Sequence, residues 1–213
     1  MPAPLYVRSL VVGFYETNCY VAGDASSRDV IVIDPGDDSH LVTQVVNSEG
    51  LNVVGIVNTH GHADHIGANE ALQRQFQCPI MIHQSDAPCL SDPDMNLSAM
   101  AGFEGPLSPP ADRLLRDADE VAAGSVVFRV IHTPGHTLGS ICLLAGNALF
   151  SGDTLFAGGV GRVDLPGGSS ESLASSIRGK LLSLADNTLV YPGHGAATTI
   201  GRERSSNPCL SDI

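Results

Sequence analysis

The chain has 213 residues, 43% of them hydrophobic, with 23 acidic against 11 basic side chains and a formal charge of −12. That apolar share supports a buried core and excludes a disordered or fibrous chain. Ten of the eleven cations are arginine and no basic run occurs, so the clustered charge that phosphate-backbone binding demands is missing and no nucleic-acid partner is expected.

Strand-like runs rich in β-branched residues open the chain at Leu10–Val12, Cys19–Val21 and Val30–Ile33. A helix follows over Ser39 to Glu49, with Leu41, Val42, Val45 and Val46 on one face and Gly50 as its stop. Val53–Val57 reads as a buried strand, Gly67 to Phe76 as a helix and Ile80–Ile82 as a short strand. The segment from Asp92 to Arg113 is rich in Pro, Gly and Ser and carries Met95, Met100 and Phe103. A connection this long is often functional. It either covers a site or forms a small satellite core. The second half supplies Val126–Ile131, Ile141–Leu144, Leu149–Phe150 and Leu189–Tyr191 as strands, with a helix over Ser170 to Ala185 behind a Ser-rich cap. Strands in runs and in alternation with helices predict an α/β (α+β) domain over residues 1–213, with two mixed sheets and helices outside. Each half also has a strand that runs into an acidic turn, at Asp34 and at Asp153, which fits two similar halves face to face.

No stretch approaches the ~18–20 apolar residues of a membrane helix, so no membrane partner is expected. Residues Met1 to Val12 hold one charge and an apolar run too short for a signal peptide. Five scattered cysteines (Cys19, Cys78, Cys89, Cys142, Cys209) without a CxxC pair read as buried thiols in a reducing cytoplasm.

The most informative segment is Thr59-His60-Gly61-His62-Ala63-Asp64-His65, a loop between a buried strand and a helix that can aim several side chains at one point. Imidazole and carboxylate bind zinc and comparable first-row metals. Surface histidines on a loop are the bland alternative, and the density of the pattern argues against it. His132-Thr-Pro-Gly-His136, Gly152-Asp153 and Tyr191-Pro-Gly-His194 each place a His or Asp in a Gly-rich turn after a strand. Alone each reads as a turn; with the first cluster they complete a set of seven. His40, His83 and His132 are not expected to be ligands.

With these residues the chain resembles the metallo-β-lactamase superfamily, and within it the single-domain glyoxalase II-like hydrolases of hydroxyacylglutathione hydrolase type. Asn18-Cys-Tyr20, Asp34-Pro-Gly36, Gly161-Arg-Val-Asp-Leu-Pro-Gly-Gly168 and Gly201-Arg-Glu-Arg-Ser-Ser-Asn-Pro208 extend the likeness over nearly the whole chain. The resemblance implies a four-layer αβ/βα sandwich of two mixed β-sheets flanked by helices. It implies two divalent metal ions, zinc first with iron or manganese as alternatives. His60, His62 and His136 would hold the first ion and Asp64, His65 and His194 the second, with Asp153 bridging. Arg162 takes the position of a cation that holds the glutathione carboxylate; an ion pair with Asp164 is its structural alternative. Aromatic residues expected near Arg162 and His194 are replaced by Asp164 and Ala196, and no separate C-terminal glutathione-binding helical domain is expected.

The expected chemistry is hydrolysis of a small-molecule thioester, possibly glutathione-derived, by a hydroxide held between two metals, by a monomer or small homo-oligomer. Metal binding lowers the pKa of water toward ~7. Asp64 and Asp153 are the candidate catalytic carboxylates, orienting the water or taking its proton. No further acid is evident, which suits a thiolate leaving group whose thiol has a pKa of only ~8.5. Esters and lactones stay open, as does an iron persulfide dioxygenase built on His60, His136 and Asp153. A β-lactamase is disfavoured, because those enzymes typically carry Cys where Asp153 stands.

Overall fold

A computed structural model of the chain describes residues 4–102, 105 and 107–210. The first sheet opens with a hairpin of β1 (Leu5–Val12) and β2 (Thr17–Asp24), paired from Leu5 with Asp24 to Val12 with Thr17. β3 (Asp29–Ile33) adds antiparallel to β2. α1 (Ser39–Glu49) then crosses over to β4 (Asn52–Val57), and α2 (Ala63–Ile66) and α3 (Asn69–Phe76) lead to β5 (Ile80–His83). β6 (Arg113–Leu115) closes this sheet, and β3 through β6 run parallel in the order β1-β2-β3-β4-β5-β6.

The second sheet takes β7 (Glu120–Ala123), β8 (Val126–His132), β9 (Ile141–Ala145) and β10 (Ala148–Gly152) as an antiparallel meander. A small ribbon of β11 (Leu155–Phe156) and β12 (Gly159–Val160) precedes α4 (Ser170–Ser176). β13 (Leu189–Pro192) joins β10 in parallel, then β14 (Thr198–Thr199) and α5 (Ile200–Ser206) follow, giving the order β14-β13-β10-β9-β8-β7. Two mixed sheets with helices are thus present, as the sequence predicts.

Strand alternation builds the layers. On β3, Ile31 and Ile33 face the second sheet, while Val30 and Val32 face the helices. The inner layer joins Tyr20, Ala22, Ile31, Ile33 and Val57 to Phe128, Val130, Leu143 and Phe150. Outside the first sheet, Val42, Val46 and Leu72 of α1 and α3 pack on Val30, Val32, Ile56 and Ile80. Outside the second, Leu173, Ile177, Leu181 and Ile200 cover Leu149 and Val190.

The bounds of α1 agree with the sequence reading, because Gly50 takes the left-handed conformation that ends it (φ 60°). The helix behind Ser169 is shorter than expected: after Ser176 it widens into a π turn over Ile177–Leu181, which buries both of those side chains. Helix formation around the ligand segment begins earlier than expected, since Asp64 and His65 already lie on α2. Met95 and Met100 pack into no core, with Met100 83% exposed; Phe103 lies outside the described residues. Four of the cysteines are buried free thiols, but Cys209 is exposed. Among the described residues no helix is long and apolar enough to cross a membrane.

On β8 the buried Phe128 sits beside Val127, which is 42% exposed. Phe128→Ala is therefore expected to cost about 3–5 kcal/mol in urea unfolding, and Val127→Ala less than about 0.5 kcal/mol. Equal losses would contradict the assigned faces.

Candidate metal centre

Strands β4, β8, β10 and β13 deliver their C-terminal ends to one edge of the sandwich, where the chain leaves each strand in a polar turn. His60 and His62 follow β4, His136 follows β8, Asp153 follows β10 and His194 follows β13. The structure brings all seven side chains singled out by the sequence together here.

They form two overlapping groups. His62 Nδ1 lies 3.1 Å from His60 Nε2 and 3.0 Å from His136 Nε2, and the three rings stand 79–89° apart. His136 Nδ1 donates to the Arg162 carbonyl at 2.8 Å. His60 Nδ1 faces the Thr59 hydroxyl at 3.2 Å, whose own proton goes to Asp34 at 2.6 Å. Both rings therefore present Nε2 as a lone pair, and a single Nδ1 proton on His62 can serve only one of them. In the second group Asp64 Oδ2 lies 3.5 Å from His65 Nε2 and 3.2 Å from His194 Nε2. Asp153 faces both groups: Oδ2 is 3.7 Å from His136 Nε2 and from His194 Nε2, and Oδ1 is 3.6 Å from His65 Nε2.

The donor set fits metal ions. His65 Nε2 and Asp153 Oδ1 are buried without a hydrogen-bond partner, a costly state that a cation relieves. Three triads drawn from these residues, His60–His62–His136, His60–His65–Asp153 and Asp64–His65–His194, each gather their ligand atoms within 4.8 Å. Electrostatics separates the two groups. Burial, and then the neighbouring imidazoles, hold His60 well below the usual histidine range and His62 down to about 3, so both are neutral donors. Burial opposes charge on His65 too, but Asp64, Asp153 and Asp34 outweigh it and raise its pKa to about 10. Burial likewise opposes charge on His194, yet the Asp64 hydrogen bond and Asp153 raise its pKa. The carboxylate-rich group thus favours positive charge, which suits it to a cation.

Several supporting residues have no ligand role in the sequence reading. Asp34, at φ 51°, accepts from Thr59 N and Oγ1 at 2.6 Å each and lies 3.1 Å from His65 Nδ1. Its position after a buried strand was a visible signal; its partner 31 residues away was not. Thr17 Oγ1 donates to Asp64 Oδ2 at 3.2 Å, and Asn18 Nδ2 holds the His194 turn through the carbonyls of Pro192 and Gly195 at 2.9 Å each. Gly193 has no side chain because a Cβ there would lie 2.1 Å from Asp153 Oδ1. Arg162 pairs with Asp164 through two 2.8 Å hydrogen bonds on an exposed surface. The long connection touches the ligand segment through its backbone, Ala63 N donating to Asn96 O at 2.9 Å. His40 is exposed, and His83 stacks on His132 with centroids 4.0 Å apart.

Removing the Asp34 carboxylate as Asp34→Asn should weaken metal binding by roughly 10–100-fold in calorimetric titration, the usual effect of losing a carboxylate behind a ligating imidazole. Unchanged affinity would contradict its role. Burial, and then His132, lower the His83 pKa to about 4. An unfolded histidine takes up its proton near 6.5, so the contribution of neutral His83 to stability is full above pH 6.5 and lost as pH falls toward 4. Urea unfolding between pH 7 and 4.5 should show a shallower acid loss for His83→Gln; an unchanged slope would refute this assignment.

The family description "Metallo-beta-lactamase superfamily" matches residues 12–194. The chain is 36% identical over 206 residues to the probable metallo-hydrolase YqgX of Bacillus subtilis, covering 96% of this chain and 97% of that one. It is 34% identical over 213 residues to the hydroxyacylglutathione hydrolase GloC of Haemophilus influenzae, covering 96% and 98%. Among solved structures, BLEG-1 B3 metallo-beta-lactamase superposes with a TM-score of 0.92 at 37% identity, covering 97% of this chain and 100% of that one. TTHA1623 in a di-iron-bound form superposes with a TM-score of 0.84 at 36% identity, covering 95% and 99%. Together with the His/Asp cluster, this likeness implies divalent metal ions. The chain belongs to the metallo-β-lactamase superfamily.

Proposed function

We propose that this chain is a hydrolase that holds two divalent metal ions and cleaves thioesters of the S-(2-hydroxyacyl)glutathione type. The observation that carries the reading is Asp153, a carboxylate within 3.6–3.7 Å of histidine nitrogens in both donor groups. In this reading His60, His62 and His136 hold one ion, Asp64, His65 and His194 the other, and Asp153 serves both. Ions bound there would polarise a carbonyl and lower the pKa of water toward ~7.

The chain's own groups do the rest. His60, His62, His65 and His136 are buried, whereas the His194 side chain is 30% exposed, so the site opens on the Asp64–His194 side. Substrate and water enter there. Asp64, steadied by Thr17, and Asp153 orient the attacking water and accept its proton on a carboxylate oxygen. The oxygen of the deprotonated water bonds to the carbonyl carbon, and the C–S bond breaks to release a thiolate. A thiolate needs no proton to leave, whereas an amide nitrogen would. Arg162 is tied to the site through its carbonyl, bonded to His136, while its guanidinium stays at the surface with Asp164. An ion pair this solvated exchanges partners readily, so a substrate carboxylate can replace Asp164.

The name of GloC supports the hydroxyacylglutathione class. The di-iron form of TTHA1623 supports iron as the alternative to zinc, and the name of BLEG-1 makes β-lactams the competing substrate class. We place the whole site in a single domain spanning residues 1–213. Five free thiols suit a reducing compartment and support a cytoplasmic placement.

Hydrolysis of S-D-lactoylglutathione by zinc-loaded protein tests the proposal, with nitrocefin as the competing substrate. Expected is thioester turnover that a chelator abolishes and zinc restores, and that falls at least roughly 100-fold in Asp153→Asn. Nitrocefin turnover without thioester turnover, in protein verified to hold two ions, would overturn it.

A further inference from the structure

We infer that Asp86 is a positioning residue for the first metal site: its carboxylate clamps together the loops that bring His60 and His62 from one sheet to His136 from the other. The inference rests on the two-ion reading above.

Asp86 lies just after β5, 1% exposed, in a turn fixed by its own N–H to His83 O and by Cys89 N–H to its carbonyl, both at 3.0 Å. Its Oδ2 accepts from Gly61 N, the peptide between His60 and His62, at 3.0 Å, and from the Thr137 hydroxyl at 2.7 Å. Its Oδ1 accepts from Gly139 N at 2.6 Å. One carboxylate therefore grips the β4 loop of the first sheet and, through Thr137 and Gly139, the segment that directly follows His136 in the second. Neither of its two backbone donors leaves room for a side chain. A Cβ on Gly139 would lie 2.6 Å from Asp86 N and Oδ1, and one on Gly61 would lie 2.4 Å from Cys89 Cβ.

Both oxygens face N–H or O–H donors, two of them backbone groups that cannot turn away. An asparagine here must aim its NH₂ at the Gly61 or the Gly139 N–H, whichever way it flips. Asp86→Asn keeps the volume and removes the grip. The second donor group is steadied by other residues: Asp34 beside His65, Thr17 on Asp64 and Asn18 on the His194 turn. Loss of Asp86 should therefore fall on one metal site only. That asymmetry separates positioning from general support of the fold.

The experiment measures zinc stoichiometry and stepwise affinity by titration, with the visible spectrum of cobalt-substituted protein reporting each site, for the wild type, Asp86→Asn and Glu203→Gln. Glu203 is an equally buried carboxylate with three donors, Gly158 N, Thr198 Oγ1 and Asn207 Nδ2, none of them in a ligand loop. The wild type is expected to bind two ions. Asp86→Asn should weaken one of them roughly 10–100-fold and leave the other unchanged. Glu203→Gln should lower the melting temperature and keep both. If Asp86→Asn does not fold, Thr137→Val removes one of the three donors and should weaken the same ion by a smaller factor. Two ions bound with wild-type affinity in the folded variant, or both weakened together in proportion to lost stability, would overturn the inference. Fewer than two ions in the wild type would instead overturn the two-ion reading.

Discussion

The apolar layer between the two sheets is the constraint on which the metal centre depends. His60, His62, Asp64 and His65 come from the first sheet and its helix, whereas His136, Asp153 and His194 come from the second. Facing sheets sit ~10 Å apart, yet nitrogens from opposite sheets meet here at 3.0 Å. Only a fixed sheet-to-sheet separation lets loops from both sides close on one point. The packing of Ile31, Ile33 and Val57 on Phe128, Leu143 and Phe150 supplies that separation. Rigid cores of this kind are felt to within a methylene, so ligand geometry and core packing are one problem.

The second constraint is electrostatic. Four buried imidazoles and three carboxylates share a small volume, and among the described residues no lysine or arginine pairs with Asp34, Asp64 or Asp153. The cost of this crowding shows as unsatisfied buried atoms, a His65 pKa raised by the surrounding carboxylates and Asp34 in left-handed backbone. Cations bound there would satisfy these lone pairs. Ion binding then acts as a stabilising ligand of the folded state, because the site exists only when both sheets are assembled.

The same architecture divides labour between a rigid interior and an open rim. The candidate ligand rings are locked by Asp34, Thr59 and the Arg162 carbonyl, while the Arg162 guanidinium stays at the surface in a solvated pair with Asp164. Catalytic groups gain from such fixity because reorganisation during the reaction is avoided. Under the proposed function, substrate contacts on the rim are free to change without disturbing it. A superfamily whose members differ in substrate can be built this way: the chemistry resides in the strand ends and the selectivity in the surface turns.

The sequence by itself determined the fold class, the apolar strands, the ends of α1 and the seven side chains that meet at the sheet edge. Each carries a local signature: β-branched runs, a glycine stop, and His and Asp in Gly-rich turns after strands. It also supplied the superfamily, because the HxHxDH spacing concentrates so many ligands in six residues. Tertiary structure alone decided the rest. β6, β7 and β14 are two to four residues long and exist through their pairing, so no periodicity announces them. Met95 and Met100 read as packing residues yet face solvent, since nothing in their spacing says which wall lies opposite. Asp86 had no motif at all. Its meaning comes from donors 25, 51 and 53 residues away, which only the closed sandwich brings within 3.0 Å. Ligands can be read from a chain because their chemistry is carried by residue type; the groups that aim them cannot, because aiming is a relation between distant segments.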